Sequence, residues 1–111
     1  MKEQHYINND IPIRFDTLVE GRGVAAHSVK VSVYFGPDAK FLMSKIINPN
    51  TSEVLFVLDK KYNTKSGPLT FIFDCDLRKY GVQSHTVKIQ TKRLPVSAKI
   101  SEKRRKELAA A

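Results

Sequence analysis

Apolar and polar residues alternate singly along most of this chain. In SVKVSVYF (28–35), Val29, Val31, Val33 and Phe35 share one parity, while Ser28, Lys30, Ser32 and Tyr34 share the other. IPIRFDTLV (11–19) sets Ile11, Ile13, Phe15 and Val19 against Arg14 and Asp16. LTFIFDCDL (69–77) and HTVKIQTK (85–92) alternate in the same way, whereas KFLMSKII (40–47) and EVLFVLD (53–59) are apolar at both parities in places. A period of two carried by Val, Ile, Phe and Thr is the pattern of half-buried strands. Six strands are therefore predicted, with 40–47 and 53–59 as central or interface strands.

The breaks between these runs are turn chemistry. EGRG (20–23), GPDAK (36–40), NPNTS (48–52) and NTKSGP (63–68) cluster Gly, Pro, Asn, Asp and Ser. GPDAK reads as a hairpin with Pro37 at the first central turn position. A short helical turn is predicted around DLRKYG (76–81), ended by Gly81. Strands joined by short turns, with no helical segment before residue 95, predict an all-β antiparallel sandwich or barrel of six to seven strands. The organisation expected is an extended leader (1–10), a β domain (11–94) and a basic tail (95–111). In the tail, SEKRRKELAAA (101–111) holds strong helix formers behind Ser101 as N-cap. Its apolar residues make no continuous stripe, so the tail is expected to be helical only when a partner orders it and disordered otherwise.

Composition narrows the class. The chain has 111 residues, 41% hydrophobic and 27% charged, which is enough for one domain with a modest core. No run approaches the roughly 18–20 apolar residues of a membrane span. MKEQHYINNDIP lacks a signal-peptide h-region, so export by that route is not expected. The net charge of +8 is concentrated toward the end: residues 93–111 carry six Lys or Arg against two Glu. Lys99, Lys103, Arg104, Arg105 and Lys106 thus form a candidate partner surface, for nucleic acid or for an acidic protein face. No aromatic residue lies beyond position 80 to add a stacking platform to that charge.

The stretch that first looks like chemistry is DCD, Asp74–Cys75–Asp76. Strand parity puts Cys75, the only cysteine, with Phe71 and Phe73 on a core face, and both aspartates on the opposite one. Two carboxylates fall short of the six to eight oxygens of a calcium site, so a solvated strand end is expected. His5, His27 and His85 fit no zinc spacing and read as surface residues. Neither a nucleophile motif nor a phosphate loop occurs. The expectation is a non-enzymatic chain with no cofactor, no metal and no small-molecule substrate.

Surplus apolar surface points to assembly instead. Leu42, Ile46, Leu55 and Val57 lie at the parity opposite to Phe41, Met43, Ile47, Val54, Phe56 and Leu58. A two-sheet sandwich buries one face of each sheet, so the second apolar face needs a cover from the tail, the leader or another chain. These four residues are candidate partner contacts, and the leader suits strand addition to a neighbouring sheet edge.

The layout resembles the N-terminal domain of phage baseplate upper proteins and related immunoglobulin-like virion domains. The resemblance rests on NDIPIRF (9–15), VKVSVYF (29–35), SEVLFVLD (52–59) and SGPLTFIF (66–73), and covers roughly residues 9–92. AAHS (25–28) departs from the family's Leu-Thr-Gly-like turn, and the basic tail lies outside its pattern. The resemblance implies an immunoglobulin-like β-sandwich without catalytic residues. It implies a tail, baseplate, head-fibre or decoration component that joins other virion proteins or copies of itself, in the particle and in the host cytoplasm during assembly. The reading set against it is a small nucleic-acid-binding β-domain that uses the basic tail and lysine-bearing strand faces.

Overall fold

The computed structural model describes residues 5–93. The chain is all-β, as the alternation predicts. Its strands are β1 (His5–Tyr6), β2 (Ile11–Asp16), β3 (Leu18–Val19), β4 (Arg22–Gly23), β5 (Ser28–Phe35), β6 (Lys40–Ile47), β7 (Glu53–Leu58), β8 (Gly67–Asp76) and β9 (Val82–Lys92). The six long strands fall on the six read from sequence, with the predicted 11–19 split into β2 and β3, and with β1 and β4 added. One sheet has the order β1-β9-β8-β5-β6, a second pairs β2 with β7, and a third pairs β3 with β4. All pairs are antiparallel except β1 with β9.

The two-stranded β2–β7 sheet packs on one face of the five-stranded sheet, and the core lies between them. Ile11, Ile13, Val54, Phe56 and Leu58 come from the small sheet, and Val29, Val31, Val33, Leu69, Phe71, Phe73 and Cys75 from the large one. Phe15 of β2 reaches Phe73 and His85, with ring centroids at 4.8 and 4.6 Å. Phe56 of β7 meets Phe71 and Phe73 at 6.4 and 6.1 Å, edge to face. Such aromatic pairs add specific geometry to the area they bury.

The turns follow the predicted chemistry. In the β5–β6 hairpin, Pro37 holds the first central position and the Ala39 N–H donates to the Gly36 carbonyl at 3.1 Å. A 3₁₀ turn at Arg78–Tyr80 ends at Gly81, whose φ of 87° is the left-handed region that favours glycine. Two buried polar side chains tie distant segments together. Asn63 donates through Nδ2 to the carbonyls of Tyr6 (2.8 Å) and Asn9 (3.0 Å). The Thr91 hydroxyl accepts from the Gly67 N–H at 3.1 Å and lies 3.1 Å from the Lys65 carbonyl.

Two expectations are corrected. Of the central and interface readings of 40–47 and 53–59, the central one fails: β6 is an edge strand and β7 belongs to a two-stranded sheet. The register of β6 against β5 skips between Val33 and Tyr34, which pair with Met43 and Phe41, so Leu42 is the extra residue of a bulge. The bulge breaks strict alternation: Leu42 and Met43 both pack against the core, and Phe41 turns outward, 59% exposed. Residues 5 and 6 of the leader pair within this chain's own sheet, beside Thr91 and Lys92.

Candidate interaction surfaces

The DCD stretch resolves into packing and local hydrogen bonding. Cys75 is buried on the core side of β8, and burial, with a smaller push from the Asp74 charge, raises its thiol from 9.0 to about 11. A thiol held protonated is a poor nucleophile. Asp74 accepts from the Ser84 hydroxyl at 2.6 Å across the β8–β9 pair. Asp76 accepts from the Arg78 N–H at 2.9 Å and so starts the 3₁₀ turn. Among the described residues, no group of three or more His, Cys, Asp or Glu is placed to hold a metal ion.

The histidines are half-buried rather than on the open surface. His27 Nδ1 lies 2.6 Å from Arg78 Nη2, so the guanidinium donates to the ring. His85 sits against Phe15, with Nε2 at 2.7 Å from Gln83 Oε1. A groove of about 410 Å³ opens beside the first of these, lined by Val24, Ala25, His27, Leu77, Arg78 and Tyr80 among others. Val24, Ala25, Leu77 and the Tyr80 ring give it largely apolar walls, and His27, Asn50, Arg78 and Lys79 supply its polar groups. The groove can receive an apolar group, with His27, Arg78 and Lys79 as the polar contacts at its wall.

The four apolar candidates do not form one surface. Leu42 is a core contact, contrary to expectation, because the bulge turns it inward. Ile46 is 64% exposed on the outer face of the large sheet. Leu55 and Val57, 48% and 49% exposed, lie on the outer face of β7, on the opposite side of the sandwich. There Val57 pairs with Pro12 and Leu55 with Arg14, giving an apolar strip next to the Arg14–Glu53 ion pair at 3.2 Å. Lys99, Lys103, Arg104, Arg105 and Lys106 lie outside the described residues.

Register reveals a surface that residue parity alone does not. Tyr34 pairs with Phe41 on one side and Thr70 on the other, and Thr70 pairs with Lys88. One row across the outer face of the large sheet therefore reads Phe41, Tyr34, Thr70, Lys88. The two rings meet edge to face at 5.9 Å. Sequence spacing hides this pair, because seven positions and a bulge separate its members.

These features define a class, an all-β antiparallel sandwich whose differentiated parts are its outer sheet faces. No family model, curated protein or solved structure matches the chain.

Proposed function

We propose that the chain is a non-enzymatic structural or adaptor module that works by protein–protein contact. The setting, on the resemblance of residues 9–92, is a phage particle, where the module joins copies of itself or another virion protein. The observation that carries this reading is the outer face of the β2–β7 sheet. An antiparallel sheet with one solvated face normally carries polar residues there. Here Pro12, Leu55 and Val57 stand together in the open, with Arg14 and Glu53 beside them. An apolar centre with a charged rim is the anatomy of a protein interface.

The β6 edge favours faces over strand addition as the means of contact. β6, one edge of the large sheet, is blunted by the bulge at Leu42, while at the other edge β1 covers β9 only at Thr91 and Lys92. Lys45, opposite Val31, has the core-side parity on this edge yet is exposed. A bulge and an inward-pointing charge both discourage pairing with another strand.

The test is solution mass by sedimentation over a wide concentration range, for the wild type and for Leu55→Lys and Val57→Lys. Mass should rise with concentration, resist added salt, and fall to the monomer in both variants. A wild type that is monomeric throughout, or variants that associate unchanged, would defeat this form of the reading.

A further inference from the structure

We propose that the β5–β6 hairpin end of the large sheet's outer face binds single-stranded nucleic acid, by stacking bases on Phe41 and Tyr34 and holding phosphates with the lysines around them. This site lies on the face opposite the β2–β7 strip and does not depend on the assembly reading.

The first observation is an aromatic pair, Phe41 exposed and Tyr34 half-buried. Phe41 is 59% exposed although it belongs to an apolar strand, and its ring stands edge to face with Tyr34 at 5.9 Å. On the same face the neighbours of the pair are small: Ser32 along β5, Ser44 along β6 and Thr70 on β8. Ser44 and Thr70 set hydroxyl donors and acceptors beside the rings, while Ser32 is buried between its neighbours. Aromatic platforms of this kind accept any base, because every base has a π face.

The second observation is the distribution of charge over the same face. Strand pairing places Lys88 in the Phe41–Tyr34–Thr70 row, about 10 Å from Tyr34 at two strand spacings. Lys92 lies on the same face four residues further along β9, beside Tyr6 of β1, and Lys40, exposed at the start of β6, sits next to Phe41 in the chain at the opposite parity, paired with Phe35. Asp38, in the hairpin turn, is the carboxylate nearest this group in sequence. At the other end the face carries Asp74 and Asp76, with Lys30 opposite Asp74. The face is thus polarised, cationic where the rings are and acidic away from them. A polyanion with stackable bases matches the first end and is repelled from the second. An acidic protein surface would match the lysines without the base stacking that Phe41 offers, and competition with polyglutamate separates the two.

The experiment is fluorescence anisotropy of the full chain with labelled oligo(dT), oligo(U) and a duplex of equal length, across a salt series. Expected is single-strand binding that weakens steeply with salt and exceeds duplex binding. Phe41→Ala, Tyr34→Ser and Lys88→Glu should each weaken it about tenfold, while melting curves confirm that the variants stay folded. Binding of either polymer supports the proposal, and their ratio shows whether the sugar is read. Four results would overturn it: no binding at low salt; a preference for duplex; wild-type affinity in the Phe41 and Tyr34 variants when charge reversal at Lys103, Arg104 and Arg105 abolishes binding; or displacement by polyglutamate as effective as by oligonucleotide.

Discussion

Replacing Phe73 by alanine tests the two-layer packing at its centre. Phe73 is fully buried on β8 and meets Phe15 at 4.8 Å, Phe56 at 6.1 Å and Phe71 at 6.3 Å, so both strands of the small sheet converge on it. Removing a buried phenylalanine costs about 3–5 kcal/mol, transfer and cavity together. A domain of this size has about 5–15 kcal/mol in total, so the variant should keep only part of its stability. With a urea slope near 1.5 kcal/mol per molar, a loss of about 4 kcal/mol moves the midpoint by roughly 2.5 M. The control is its neighbour Ile72, half-buried on the outer face, where no described layer packs. Ile72→Ala should cost about 1 kcal/mol, chiefly through strand propensity and cross-strand contact. The assay is urea denaturation followed by far-UV circular dichroism, with slopes compared between variants. A loss under about 1 kcal/mol for Phe73→Ala would refute the packing derived for β8. So would a larger loss for Ile72→Ala.

Two further perturbations address other parts of the molecule. Asn63→Ala strips partners from the Tyr6 and Asn9 carbonyls and should cost about 1–3 kcal/mol, with amide exchange rising first at residues 6–10. Cys75 should resist thiol reagents in the folded chain at mildly alkaline pH and react at once in urea. The sign of its pH effect follows from the raised thiol: between pH 9 and about 11 the unfolded chain has lost the proton while the folded one keeps it. Stability should therefore fall as pH rises through that window, and Cys75→Ala should remove that share of the fall on a pH series of urea melts.

Much of the fold was legible in the chain because parity is a local property. Val29, Val31 and Val33 on β5, and Leu69, Phe71, Phe73 and Cys75 on β8, are buried where alternation placed them. Parity failed at β6, where one extra residue turned Leu42 inward and Phe41 outward, since a bulge depends on the partner strand rather than on its own sequence. β1, β4 and the break at Thr17 that separates β3 from β2 were not legible either. They depend on long-range ties, such as the Thr17 hydroxyl, 3.2 Å from the Ser52 carbonyl, and Gln83 Nε2 donating to the Leu18 carbonyl at 2.9 Å. Of the candidate contacts, Leu55 and Val57 stand in the open as expected, but their separation from Ile46 is a matter of sheet assignment, which periodicity does not carry. The Tyr34–Phe41 pair needed register, and register needed the hairpin and the bulge together.

The parallel pairing of β1 with β9 has a mechanical consequence. His5 lies beside Thr91 and Tyr6 beside Lys92, and the Ile7 N–H donates to the Lys92 carbonyl at 3.0 Å. Tension applied to the chain before residue 5 and after residue 93 pulls these two parallel strands in opposite directions along their length. The bonds between them are then loaded in shear and share the force, instead of opening one at a time as a zipper would. The Asn63 side chain, bonded to the Tyr6 carbonyl, adds a crosswise anchor at the same point. A sandwich held by its two ends would resist extension at β1, its shortest strand in the large sheet, before force reached the core.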